Sequence, residues 1–170
     1  MRRLICFTVL AITLGGAAAG FALAGGANDG TLSVKAGNGK VSLNFNGSAV
    51  GRVAHGSITV IDPLLGDGLG IDAWGCDYGS YDRPTIDGDG VVRVCRGIGL
   101  RFRAIGGKYT IRLKGSGIYL SAVGQGSAFL NGNGDDPNVN SDGTYSLNDQ
   151  PYKSLPNSGA TLDLVAPAGG

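Results

Sequence analysis

Aspartate dominates the groups in this chain that could do chemistry. All thirteen acidic residues are Asp, with no Glu, and beside them stand one histidine, His55, and three cysteines. A glycosidase needs two carboxylates placed across a bond, one with a raised pKa, and thirteen aspartates offer many pairs without singling one out. Seven of them (Asp62, Asp67, Asp72, Asp77, Asp82, Asp87 and Asp89) crowd one segment, so a secreted hydrolase using these loop aspartates stands as the alternative reading. A serine hydrolase would have to use His55, yet no Gly-x-Ser-x-Gly nucleophile elbow is present. His55 is more simply a strand-end residue before Gly56. No catalytic residue is assigned, and a non-enzyme is expected.

Charge separates along the chain. Downstream of the aspartates come Arg93, Arg96, Arg101, Arg103, Lys108, Arg112 and Lys114 with no acid among them. Such a block is neutralised by the aspartate loop folding over it, by solvent and salt, or by an external polyanion. Arg101, Arg103, Arg112 and Lys114 are therefore the candidate anion-binding residues. Trp74, Tyr78 and Tyr81 lie among Asp72, Asp77 and Asp82, an arrangement of aromatic plates and acceptors able to hold a sugar ring; the competing reading has Trp74 covering a disulfide and the tyrosines pinning a loop. Asn138, Asn140, Asp142 and Asp149, with Gly143, match the oxygen-ligand spacing of a calcium loop. Position 1 is Asn, position 12 is Asp and no flanking helices are indicated, so ordinary turn chemistry is the reading taken, and no cofactor is expected.

Cys76 and Cys95 are nineteen positions apart, and in an oxidising compartment they read as one disulfide, contributing about 3 kcal/mol by closing a loop of that size. Two thiols and one His cannot complete a zinc site without carboxylates. The oxidising compartment follows from the N-terminus: Arg2 and Arg3, an uncharged apolar run from Leu4 to Leu14, then small residues ending in Ala-x-Ala sites at Ala17–Ala19 and Ala22–Ala24. This is the pattern of an export signal, with cleavage expected after Ala24 and an uncleaved anchor as the alternative, either way placing residues 25–170 outside the cytoplasmic membrane. Removing residues 1–24 takes Arg2 and Arg3 from the 14 basic residues and none of the 13 acidic ones. The remaining net charge, near −1, gives no footprint for nucleic acid.

The elements that must position these groups are strands. There are 32 Gly among 170 residues, Gly costs a helix about 1 kcal/mol per position, and Asp prefers caps and turns, so long surface helices are disfavoured. Segments rich in β-branched and aromatic residues recur every 8 to 12 or so residues, the spacing of an all-β sandwich or barrel. The strands expected are 31–36, 40–46, 48–54, 56–61, 91–95, 100–105, 108–114, 117–123, 125–130, 143–147 and 160–165, with irregular regions 62–90 and 131–159. Gly106-Gly107 suits a two-residue hairpin turn. Its register would set Ile105 opposite Lys108 and Arg101 opposite Arg112, with Leu100, Phe102, Ala104, Tyr109, Ile111 and Leu113 on an apolar face. The echo of Ser48-Ala49-Val50-Gly51 in Ser121-Ala122-Val123-Gly124 has two copies only. A single antiparallel, jelly-roll-like β-sandwich over 25–170 is therefore expected, with a short β-solenoid or bactofilin-like stack as the alternative.

The segment opening at Gly106, Gly-Gly-Lys-Tyr-Thr-Ile-Arg-Leu-Lys-Gly-Ser-Gly-Ile-Tyr-Leu-Ser-Ala-Val-Gly-Gln-Gly-Ser, resembles uncharacterised exported Gly-rich β proteins of high-GC Gram-positive bacteria, over region 47–132. The resemblance implies export and β structure and supplies no reaction and no catalytic residue. Tyr119 departs from the polar residue expected at its position. Together these readings point to an exported structural or binding module of the cell envelope or extracellular space. Its partner would be an anionic or glycan envelope polymer, met without nucleic acid and touching membrane only through an uncleaved signal segment.

Overall fold

A computed structural model describes residues 26–68, 70–85, 89–134 and 142–167. Residues 1–24, and with them the expected export signal, lie outside the described residues, as do Asn138 and Asn140. The described chain is all-β, one antiparallel sheet of eight strands that does not close. They are β1 (Gly30–Asp62), β2 (Gly70–Trp74), β3 (Tyr81–Pro84), β4 (Val91–Ile105), β5 (Lys108–Gly132), β6 (Thr144–Leu147), β7 (Lys153–Ser154) and β8 (Ala160–Leu164). The four strands expected between 31 and 61 are one strand, β1, and the three expected between 108 and 130 are one strand, β5. The 62–90 region is not wholly irregular either, since it supplies β2 and β3. Every pairing is antiparallel, whereas a stacked solenoid would pair its successive turns in parallel.

Two long strands build the fold by winding around each other. β1 and β5 pair in one register from Gly39 opposite Gly132 to Ile61 opposite Thr110, and in a second from Gly30 opposite Gly124 to Asn46 opposite Lys108. Asn46 therefore faces both Lys108 and Gln125, seventeen positions apart on β5, one on each edge. The two copies of the Ser-Ala-Val-Gly echo lie side by side in this ladder, with Ala49 opposite Ala122. β4 flanks the outer half of β1, from Ala49 opposite Ala104 to Asp62 opposite Val91.

Strands this long must bend to bury one face, and glycines mark where they do. Gly97, Gly56, Gly115, Gly39 and Gly132 are successive partners, a line across the sheet, and Gly30, Gly124 and Gly47 form a second. Gly39, Gly56, Gly97 and Gly115 have φ between 134° and 148°, where L side chains are strained. At Gly56 a Cβ would also fall on the Lys114 carbonyl oxygen, and at Gly115 on that of His55. The high glycine content thus lets neighbouring backbones approach at the creases instead of ending strands. Folded along these lines, the sheet's inner face closes over one core that joins Val41, Leu43, Ile58, Tyr109 and Ile111 to Leu32, Val53, Leu100, Phe102 and Leu120 from the far side of the creases.

The hairpin expected at Gly106-Gly107 is not formed. β1 sits between β4 and β5: Val50 is opposite Arg103 on one side and Ser121 on the other. β4 and β5 consequently run parallel to each other with β1 between them, and Gly106-Gly107 crosses the end of the β1 ladder, where Gly107 O accepts from Gly47 N at 2.9 Å and Ser48 Oγ accepts from Gly106 N at 3.0 Å. The alternation itself holds. Leu100, Phe102, Ala104, Tyr109, Ile111 and Leu113 are all buried, while Arg101, Arg103 and Arg112 are exposed.

Candidate functional site

Three of the side chains singled out in the sequence meet on the outer face of the sheet. Trp74 on β2 is opposite Arg101 on β4, Arg101 is opposite Arg52 on β1, and Arg52 is opposite Tyr119 on β5. One row thus crosses four strands and places an indole, two guanidiniums and a phenol side by side. Adjacent strands are about 4.8 Å apart, so the strands that carry the two rings stand about 14 Å apart. The parallel row beside it runs Asp72, Arg103, Val50, Ser121 and Ser33. Its small members form the floor of a groove of about 760 Å³ whose walls are Lys35, Arg52, Trp74, Arg101, Arg103 and Tyr119.

The alternation of each strand fixes this face. Leu32, Val34, Ala49, Val53, Leu100, Phe102 and Leu120 point into the core, so Ser33, Lys35, Val50, Arg52, Arg101, Arg103, Tyr119 and Ser121 between and beside them point out. Within the groove, the Arg52 guanidinium lies over the Tyr119 ring at 4.1 Å from its centroid, which holds the charge in place by a cation–π contact. At the other wall the Lys35 ammonium lies 4.0 Å over Tyr152. Tyr152 shares a 2.9 Å hydrogen bond with Ser33 Oγ, and that bond, helped by Lys35, holds its phenol below the usual range. Trp74 is half exposed, at 50%, and the Arg103 guanidinium is 6.0 Å from its ring.

The aspartate segment neutralises part of the cationic block through strand register. β2 and β3 both lie along β4, placing Asp72 opposite Arg103 and Asp82 opposite Arg93. Asp72 pairs with Arg103. Asp82 accepts from Arg93 Nε at 2.9 Å and from Nη2 at 2.8 Å. The hydrogen bond to Arg93 holds the Asp82 carboxyl below its ordinary range and, reciprocally, raises Arg93. Among the described residues these are the two ion pairs, so no carboxylate is paired with Lys35, Arg52 or Arg101 there. The chain between β2 and β3 is fastened by the Cys76–Cys95 disulfide, with Cα atoms 5.0 Å apart, and by Asp77 N donating to Arg96 O at 2.7 Å. Cys76 is two residues from Trp74, so the disulfide anchors the strand that carries the indole.

The expected cationic patch is divided. Arg112 is opposite Ser42 and Thr59, and Lys114 is opposite Lys40 and Ser57, on the far side of the glycine line from Arg101 and Arg103. The cause is the missing hairpin: Arg101 faces Arg52, and the like-charge pair expected with Arg112 does not exist. Tyr78 stands wholly exposed in the excursion between β2 and β3, and Tyr81 is on β3 opposite Val94; neither lines the groove. Asp142 accepts from Gly134 N at 2.9 Å, and Asp149 sits beside Asn148 in a turn with φ of 56° and 50°. Among the described residues no cluster of three His, Cys or Asp side chains is placed to hold a metal. Arg52, Lys35 and Tyr152 are additions that the structure makes to the expected site residues. Arg52 carries no local signal, because only the β1–β4 register sets it beside Arg101.

No protein-family model, curated protein or solved structure matches this chain. The reading of the groove therefore rests on its own geometry. Among the described residues no helix is long and apolar enough to cross a membrane.

Proposed function

We propose that this chain is an exported, non-catalytic binding module of the cell envelope or extracellular space, engaging an anionic or glycan polymer through the groove on its outer face. The observation that carries the reading is the row Trp74, Arg101, Arg52, Tyr119. An exposed indole beside two adjacent guanidiniums that have no carboxylate partner among the described residues offers an anion or a sugar ring a ready set of contacts. The Cys76–Cys95 disulfide supports an oxidising location, as does the apolar N-terminal run. A jelly-roll-like sandwich is the finer architecture proposed, supported by the winding of β1 around β5. Kinship with exported Gly-rich β proteins of high-GC Gram-positive bacteria is part of the same proposal. The hydrolase reading is weakened by Asp72 and Asp82, whose carboxylates are held by Arg103 and Arg93.

The test is co-sedimentation of the purified protein with isolated cell-wall material, at low salt and in about 0.5 M salt, where exposed charges are screened beyond a few ångströms. Retention at low salt that falls at high salt is the expected result. Absence of retention at both would refute the reading.

A further inference from the structure

We infer that the groove is built for an acidic saccharide, a sugar chain carrying carboxylate or phosphate groups, laid across the strands with its anion between Arg52 and Arg101. This rests on the binding-module reading above and narrows it to one ligand chemistry. The groove walls carry four cations, Lys35, Arg52, Arg101 and Arg103, of which only Arg103 has a carboxylate partner among the described residues. Arg52 and Arg101 are direct cross-strand partners. Like charges so placed repel, and an anion accepting from both guanidiniums converts that repulsion into two charge-assisted contacts.

The cations lie along a line, which favours a chain over a compact anion. Lys35 follows Val34, the partner of Leu120, and lines the groove from the next strand segment beyond Tyr119. The strand segments that carry Lys35 and Arg52 are two spacings, about 10 Å, apart, room for a second anionic group further along the same ligand. Tyr119 is covered by Arg52 and serves to orient that guanidinium. Trp74, by contrast, is half exposed at the end of the row, where a sugar face can lie on the indole. The floor of Val50, Ser121 and Ser33 is low enough to admit a chain between the walls. Simple polyanions would use the arginines and leave Trp74 idle.

The experiment is titration of the full chain with oligogalacturonate as the carboxylate probe, a phosphorylated oligomannoside as the phosphate probe, neutral maltohexaose and inorganic polyphosphate. At least one acidic saccharide should bind at least about tenfold more tightly than maltohexaose and polyphosphate, and which of the two does so identifies the anion. Arg52→Gln should weaken that binding about tenfold or more, and Trp74→Ala should weaken the saccharide without changing polyphosphate. Arg112→Gln, across the glycine line, should leave all four affinities unchanged. Thermal melting and disulfide mass confirm that each variant is folded. Equal binding of maltohexaose would overturn the anion clamp, and equal polyphosphate binding with no effect of Trp74→Ala would overturn the saccharide. Wall retention with none of the probes bound overturns this inference alone, whereas loss of wall retention removes the binding-module reading beneath it.

Discussion

Gly56 touches glycines on both neighbouring strands, Gly97 and Gly115, and its φ of 148° combines with a Cβ position on the Lys114 carbonyl oxygen to exclude any side chain. Gly79 also has a positive φ, 98°, but nothing within 4 Å of its Cβ position. Gly56→Ala should therefore cost at least about 3 kcal/mol or prevent folding, and Gly79→Ala about 1 kcal/mol, in urea unfolding. Equal costs would show that the glycine line is not a packing requirement. Asp62 is a second residue-scale case. It is 2% exposed, accepts from Leu64 N at 3.2 Å, and burial raises its pKa above the ordinary 3.8. A raised folded-state pKa means that the native state holds the proton longer, so this group lowers stability as pH rises above about 3.8. Asp62→Asn, which keeps the accepting oxygen, should be more stable than the parent at pH 7 and indistinguishable below the carboxylate range. A variant less stable at pH 7 would contradict this.

Each strand's inward and outward faces were legible in the alternation, because burial on one face leaves a period of two that needs no partner to be seen. The pairing of strands was not. Gly-Gly between two alternating runs is a strong local hairpin signal, yet β1 takes the place between β4 and β5, and nothing local to residues 100–114 records that. Glycines at 39, 47, 56, 115 and 124 look like strand ends in the sequence for the same reason: a crease inside a long strand and a turn between short ones call for the same residue. The sequence alone consequently groups Arg112 and Lys114 with Arg101 and Arg103 and gives no sign of Arg52. At this scale the disulfide is the testable part, since it fastens β2 and β3 to β4 across nineteen positions. Cys76→Ser should lower stability by about 3 kcal/mol in urea unfolding. A loss below about 0.5 kcal/mol would mean that strand pairing alone holds the aspartate segment in place.

For the whole molecule, two long strands creased by glycine give a rolled sheet whose inner face is spent on the core and whose outer face is free to carry function. The 62–90 segment adds an edge to that sheet, bringing aspartates to Arg93 and Arg103 and Trp74 to the end of the row that Arg101 and Arg52 occupy. The proposed binding function thus belongs to one side of the glycine line, and the direct test compares the two sides. In wall co-sedimentation at low salt, the double variant Arg52→Glu with Arg101→Glu should lose retention, while Arg112→Glu with Lys114→Glu, an identical change in net charge, should keep it. Equal loss in both would mean that bulk charge and not the groove governs binding, and unchanged retention in the first pair would contradict the assignment of the groove.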